Sequence, residues 1–343
     1  METKKMPESR YQCIHVNVLK PFPKWKWYYA SLALFSAASM FFIYQLCTTD
    51  PSLTQIKRDR FLQQIYRDVL NTWYNFTGGV RWYNEKAPST SDPVNWERYI
   101  ADIRRDWILQ VYNPNEPYDL EAAELEDPSM GQANVIRKIL QDKINGFFVE
   151  CGAYDGETRS NTLVLERFLN WTGLLVEADP LNFSKMLMKN RKAYLTPTCL
   201  AVEPYPSVNS FLMANNVGRL HELNDSDINL PNSPDVAHSG LHISVQCFPF
   251  HHLMAALNVT TVDYFSLDIE GHELKVLKTI PFDKINIKTL SVEFSHVEGG
   301  KRELIDFMES KNYFVYSLVV RDDNLAHDII FVKRSVSHRI DLY

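Results

Sequence analysis

The sequence predicts an α/β fold: a mostly parallel seven-stranded sheet of Rossmann-like type, finished by an antiparallel edge hairpin and preceded by an N-terminal transmembrane helix. Three observations lead there. Apolar strand-like runs alternate with helical patterns over residues 146–333, a glycine-bearing turn follows the first run, and residues 27–47 carry no charge. Strands that alternate with helices imply a largely parallel sheet covered on both faces.

The uncharged run reads WYYASLALFSAASMFFIYQLC. About 20 residues at ~1.5 Å each cross the ~30 Å hydrocarbon core, so it is long enough for a single pass. Trp27, Tyr28 and Tyr29 at one end and Tyr44 at the other suit the two membrane interfaces. Lys4, Lys5, Arg10, Lys20, Lys24 and Lys26 precede the run, whereas Lys57, Arg58, Arg60 and Arg67 follow it at a greater distance. That bias places residues 1–26 as a cytoplasmic basic tail and the body in a lumen or outside the cell, a type II arrangement. A cleaved signal peptide is the alternative, but its apolar core is usually only ~7 to 15 residues, and Gln45, Leu46, Cys47 is a poor cleavage site. Sequons at Asn75, Asn170, Asn182, Asn224 and Asn258 all lie beyond the run.

Composition sets the remaining bounds. With 45% hydrophobic and 23% charged residues the chain is ordinary globular material. A net charge of -6, with no basic stripe, argues against a nucleic-acid partner. The cysteines, Cys13, Cys47, Cys151, Cys199 and Cys247, form no CxxC pair and have no histidines at zinc spacing, so no metal site is expected. Cys199 and Cys247 are the candidate disulfide, because Cys151 sits in an apolar run that suits a buried free thiol.

Residues 48–128 read as a helical stem and linker. Asp92 and Pro93 form a helix start, and Trp96, Tyr99, Ile100, Ile103, Trp107 and Ile108 follow at helical spacing as a packing face. Pro114, Pro117 and Pro128 mark residues 113–130 as the linker proper. A domain over 129–343 then opens with an amphipathic helix at 132–143. Its strands are expected at 147–151, 174–177, 193–195, 264–269, 289–294, 313–320 and 329–333. Its helices are expected at 158–169, 183–189, from Glu273 onward, and at 301–310. No long helix separates the last two strands, hence the antiparallel hairpin.

The chemistry gathers at the strand ends. The first strand runs into Glu150, Cys151, Gly152, Ala153, Tyr154, Asp155, Gly156, where glycines let the backbone approach a nucleotide-like ligand. The second ends in Glu177, placed to accept ribose hydroxyls some 20 residues after the turn. NAD remains open on spacing alone. The acidic Glu150, however, repels a pyrophosphate and suits the cationic methionyl end of S-adenosylmethionine (SAM). The segment VDYFSLDIEGHELKVL delivers Asp268 and Glu270 to another strand end, where two carboxylates can position substrate, bind an amino group or act as base. The structural alternative has Glu270 capping the next helix and Asp268 bonding backbone amides. His296 ends the following strand at the same rim, as a second candidate base.

These residues together resemble the FkbM family of SAM-dependent methyltransferases over residues 146–333. The glycine turn, the sequence Glu177, Ala178, Asp179, Pro180 and the stretch from Asp268 to Leu274 fall in the family's order. The resemblance implies SAM as cofactor, bound by Glu150, Gly152, Tyr154, Gly156, Glu177, Asp179 and Asp268, with Asp268, Glu270 and His296 in catalytic roles. It further implies methyl transfer to an acceptor oxygen of a glycan, lipid or small molecule. Ser266 stands where the family commonly has lysine, and Glu150 where it usually has aspartate. Behind a single anchor, the wording of the motifs is most similar to the animal Star-like branch. That likeness implies a non-catalytic alternative, an escort for membrane-anchored growth-factor precursors between endoplasmic reticulum, Golgi and endosomes.

Overall fold

The computed structural model describes residues 80–84, 87–213, 218–221, 241–323 and 325–336. The basic tail, the anchor at 27–47, Cys13, Cys47 and the sequons at Asn75 and Asn224 lie outside the described residues. Among those described, no helix is long and apolar enough to cross a membrane.

Helix α1 (Pro93–Asp106) begins where Asp92 accepts the Asn95 amide and Pro93 takes a first-turn position that needs no donor. Helix α2 (Gln132–Ile139) is shorter than the pattern to residue 143, because Gln141 and Asp142 turn into the left-handed region. Strand β1 (Phe147–Cys151), helix α3 (Leu163–Leu169), strand β2 (Thr172–Val176), helix α4 (Pro180–Met188) and strand β3 (Tyr194–Thr196) follow. Helix α3 starts five residues later than the expected 158, because the Asp155 carboxylate accepts the Glu157 and Thr158 amides in a tight turn.

Then comes an insertion that the strand and helix pattern did not reveal: β4 (Cys199–Leu200), β5 (Ser207–Met213), β6 (Arg219–His221) and β7 (Leu241–Phe248). They form a second, four-stranded sheet in the order β4-β7-β5-β6. The chain returns through α5 (Phe250–Leu257), β8 (Thr261–Leu267), α6 (Glu273–Thr279), β9 (Asn286–Glu293), α7 (Gly300–Ser310), β10 (Tyr313–Val320) and β11 (His327–Lys333).

The main sheet has seven strands in the order β10-β11-β9-β8-β1-β2-β3. Strands β9, β8, β1, β2 and β3 pair in parallel, and β11 pairs antiparallel with both β9 and β10. The edge hairpin is present, with the last strand inserted inside it. Alternation along β1 explains how both faces are covered. Phe148 packs with Trp171, Leu175 and Tyr264 on one face, while Val149 and Cys151 join Val176, Phe265 and Leu267 on the other.

The disulfide expected from the sequence joins Cys199 to Cys247 across the β4–β7 pair, and Cys151 is a buried free thiol. A buried tyrosine and a buried histidine reinforce the neighbouring layer: the Tyr99 hydroxyl meets His252 Nδ1 at 2.9 Å, tying α1 to α5.

Residues before 129 do not hang apart from this core. Tyr99, Ile103 and Trp107 are buried in the same cluster as Val149, Phe248 and Phe265. Leu109 and Leu195 exchange backbone hydrogen bonds of 2.8 and 2.9 Å, which extends the β3 edge. The proline-rich linker is also fastened, since the Glu157 carboxylate accepts the Glu121 and Ala122 amides and Lys189 Nζ donates to it at 2.7 Å. Trp107→Ala should therefore lower unfolding free energy in denaturant by about 3–5 kcal/mol. A change below about 1 kcal/mol would mean that α1 is an appendage.

Candidate functional site

The chain runs outward in one direction from β1 through β2 to β3, and in the other through β8 and β9. Such a reversal opens a crevice at the carboxyl ends of the two central strands. Here it is a solvent-open cleft of about 140 Å³, lined by the ends of β1, β2 and β8 and walled by the second sheet through Leu200, Phe211 and Leu220.

The turn after β1 is shaped by its neighbours. Gly152 has φ +81°, and a Cβ there would lie 1.9 Å from the Asp268 carbonyl oxygen. Its glycine is thus required by the approach of the β8 end, quite apart from any ligand. Gly156, at φ +78°, faces Met186 of α4 and does not line the cleft. Its expected cofactor role is replaced by helix packing. Tyr154 does line the cleft, with a left-handed φ of +51°.

Glu177 holds that turn. Its buried carboxylate accepts the Tyr154 amide at 2.7 Å and the Asp179 amide at 2.8 Å, and it lines the cleft. Burial, then the charge of Asp179, push its pKa up to about 8, against the pull of those amides. Asp179 is absent from the cleft: its carboxylate caps α4 through the Leu181 and Asn182 amides. The acid-proline pair was a helix start, so that assignment as a cofactor residue is corrected.

Glu150 forms part of the floor and is anchored at both oxygens. It accepts the Asn161 amide at 2.7 Å and the Ser160 hydroxyl at 2.9 Å, and Thr162 Oγ1 also donates to it. Burial raises its pKa, opposed by Arg191. Ser266, at the lysine position of the resembled family, accepts Asn161 Nδ2 at 2.9 Å and meets Ser291 at 3.3 Å. A neutral hydroxyl network thus fills the space below the cleft.

The β8 end carries the acids. Asp268 is exposed to the cleft, and the protein packed around it, then the charges of Glu270 and Glu293, raise its pKa well above the usual range. Glu270 also lines the cleft, from a left-handed φ of +59°. It does not cap α6. Glu273 instead reaches back to the Ile269 and Gly271 amides at 2.8 and 3.1 Å. Asp268, Glu273 and Glu293 bring carboxylate oxygens within 4.8 Å of one another. Glu273 is engaged by that loop, and Glu293 by the Ser295 amide and His296.

His296 does not line the cleft; it lies behind Glu270. Its Nδ1 is 3.1 Å from Glu270 Oε2 and 3.4 Å from Glu293 Oε2. Burial opposes its charge, but the two carboxylates outweigh that and raise its pKa to about 10. A histidine held as imidazolium at neutral pH cannot accept a proton, so the expected role as general base is corrected to that of a counter-ion.

The structure therefore gathers Glu150, Gly152, Tyr154, Glu177, Asp268 and Glu270 around one cleft, and leaves Gly156, Asp179 and His296 outside it. Arg159, Asn161 and Arg219 also line it. None was singled out in the sequence. Arg159 and Asn161 follow the glycine turn closely enough to have been suspected, whereas Arg219 arrives on the insertion.

Residues 150–315 match the family model for the methyltransferase FkbM domain, from the floor acid in β1 to Val315 in β10. No curated protein matches. Two similar solved structures are M. capricolum TrmK with its cofactor product S-adenosyl-homocysteine (SAH) and a human methyltransferase 10 domain containing protein. The first is 13% identical over 59% of this chain and 67% of its own, with a TM-score of 0.31. The second is 11% identical over 72% of this chain and 100% of its own, with a TM-score of 0.32.

An NMR titration of the histidine ring protons should find His296 charged through neutrality and titrating near pH 10. Because its folded pKa is raised, its stabilising contribution is complete below its unfolded value of about 6.5 and is lost as pH rises through about 10. A midpoint near 6.5 would contradict the counter-ion assignment.

Proposed function

We propose that the chain is a SAM-dependent methyltransferase of FkbM type that acts on an acceptor oxygen. The observation that carries this reading is Glu177: a buried carboxylate fixed by two amides at the end of β2 and lining the cleft beside the glycine turn. Each of its oxygens keeps acceptor capacity beyond those amides, as two ribose hydroxyls require. The rest of the lining fits a ligand that is cationic at one end, since Glu150, Asp268 and Glu270 are all present.

Bound SAM supplies an electrophilic methyl group; the residues of this chain supply position and proton management. Glu270 receives the acceptor proton at a carboxylate oxygen. His296, 3.1 Å behind it, fixes that side chain and balances its charge. Asp268, its pKa raised by desolvation and then by its acidic neighbours, lines the cleft beside Glu270 and orients the acceptor. Ser266 leaves no lysine at the end of β8; Arg219 within the cleft and His296 behind it bring cationic charge to Glu270. Leu200, Phe211 and Leu220 give the cleft an apolar wall. The acceptor is a glycan, lipid or small molecule.

In the same proposal the run at 27–47 anchors the chain as a type II protein of the endoplasmic reticulum, Golgi or endosome, with its body in the lumen. The Cys199–Cys247 disulfide supports an oxidising compartment. Asn170 and Asn258 are exposed, whereas Asn182 is 2% exposed within α4. A second reading, the cargo escort, is favoured by one feature: the β10 edge of the sheet exposes Leu318 and Val320, as a strand-adding partner would need.

Calorimetry on the full-length chain should show SAM binding that Glu177→Ala weakens about 10- to 100-fold, the loss expected for hydrogen bonds to a charged group. No binding at millimolar SAM would defeat the enzyme reading and leave the escort. Peptide mapping after glycosidase treatment should find glycans at Asn170 or Asn258 and none at Asn182. A body without glycans would argue against the lumenal orientation.

A further inference from the structure

At the end of the sheet opposite the cleft, the loop before β1, the start of β9 and the turn after β11 enclose a recess of about 420 Å³. Ile139, Leu140 and Val336 give it an apolar side, and Lys143, Lys288 and Asn286 belong to its polar side. No acidic residue lines it among the described residues.

One carboxylate holds both lysines. Asp263, buried near the start of β8, takes Lys143 Nζ at 2.6 Å on one oxygen and Lys288 Nζ at 2.7 Å on the other, and it also accepts the Phe147 amide at 3.0 Å. Burial opposes its charge, but the two ammonium groups hold its pKa below the usual carboxylate value. Its single negative charge is thereby shared between two cations. Lys333 brings a third, since its Nζ donates at 2.9 Å to Asn286 Oδ1, a neutral partner. Asp142, next to Lys143 in the chain, is taken up by Arg137 at 2.7 Å. The side chains of Lys143 and Lys288 stay 35% and 29% exposed, and an ammonium group has three donors, of which Asp263 uses one on each.

We propose that this recess is a second binding site, separate from the cleft, and that it takes a phosphate monoester. The phosphoryl oxygens accept the remaining N–H donors of Lys143 and Lys288, and the side formed by Ile139, Leu140 and Val336 covers the organic part of the ester. Three ammonium groups around one carboxylate leave two positive charges, which a phosphoryl dianion answers and a single carboxylate would not. The volume lies in the range of small-molecule sites, about 300–1,000 Å³, which is why an ester is assigned and not the bare ion. The inference does not depend on the SAM reading, because no residue of the cleft takes part.

Calorimetry on the full-length chain with glycerol 3-phosphate and with dihexanoyl phosphatidic acid tests the site and separates a soluble ester from a lipid headgroup. At least one of the two should bind at a single site, and Lys143→Gln and Lys288→Gln should each weaken it about 10- to 100-fold, the loss expected for a charge-assisted hydrogen bond. A cooperative denaturant transition certifies the fold of each variant. Tighter binding of glycerol 3-phosphate assigns the soluble ester, and tighter binding of the lipid analogue assigns the headgroup. If neither variant folds, acetylation of the wild-type chain with acetic anhydride decides: the bound ester should shield Lys143 and Lys288 and leave Lys278, exposed on α6, reacting as before. Binding of neither probe, unchanged affinity in either folded variant, or an ester that shields neither Lys143 nor Lys288 overturns the site.

Discussion

The Glu177 carboxylate is the contact on which the site depends. One oxygen takes the Tyr154 amide and the other the Asp179 amide, so a single side chain ties the turn after β1 to the loop that starts α4. Burying a carboxylate is unfavourable unless its acceptor capacity is used, and these two donors are what make the position tolerable. The result is a turn whose shape is set before any ligand arrives. Gly152 completes the constraint, since its missing Cβ is what lets the β1 and β8 ends come together at the cleft floor.

At the opposite end the cleft manages an excess of negative charge. Asp268, Glu270, Glu273 and Glu293 converge there, and each is handled differently. Glu273 is buried, its pKa pushed up to about 8 by desolvation and by Glu293, and it holds the loop amides. The pKa of Asp268 is raised by the protein around it and by its acidic neighbours. Glu270 and Glu293 share the His296 imidazolium. A cluster of like charges thus becomes a graded set, with one carboxylate left facing the cleft in a defined orientation.

The strands and helices of the main sheet were legible because their apolar periodicity is strong, and the Cys199–Cys247 pair followed from elimination. The second sheet was not, because its strands are short and separated by the polar stretch around residues 214–240, which broke the pattern. Segment 93–130 looked like stem and linker on proline and acid content; its fastening depends on Trp107 and on Glu157, whose partners are distant in sequence. Gly156, Asp179 and His296 carry the right residue types at the right strand ends, yet a shift of one or two positions turns them toward a helix or a counter-charge. Spacing locates a rim. It does not say which side chains cross it.

The most direct check of this account is a crystal structure of the protein with SAH. It should show the ribose hydroxyls within hydrogen-bonding distance of Glu177, with the Tyr154 and Asp179 amides still on that carboxylate. Ligand density elsewhere, or a Glu177 side chain released from both amides, would contradict it.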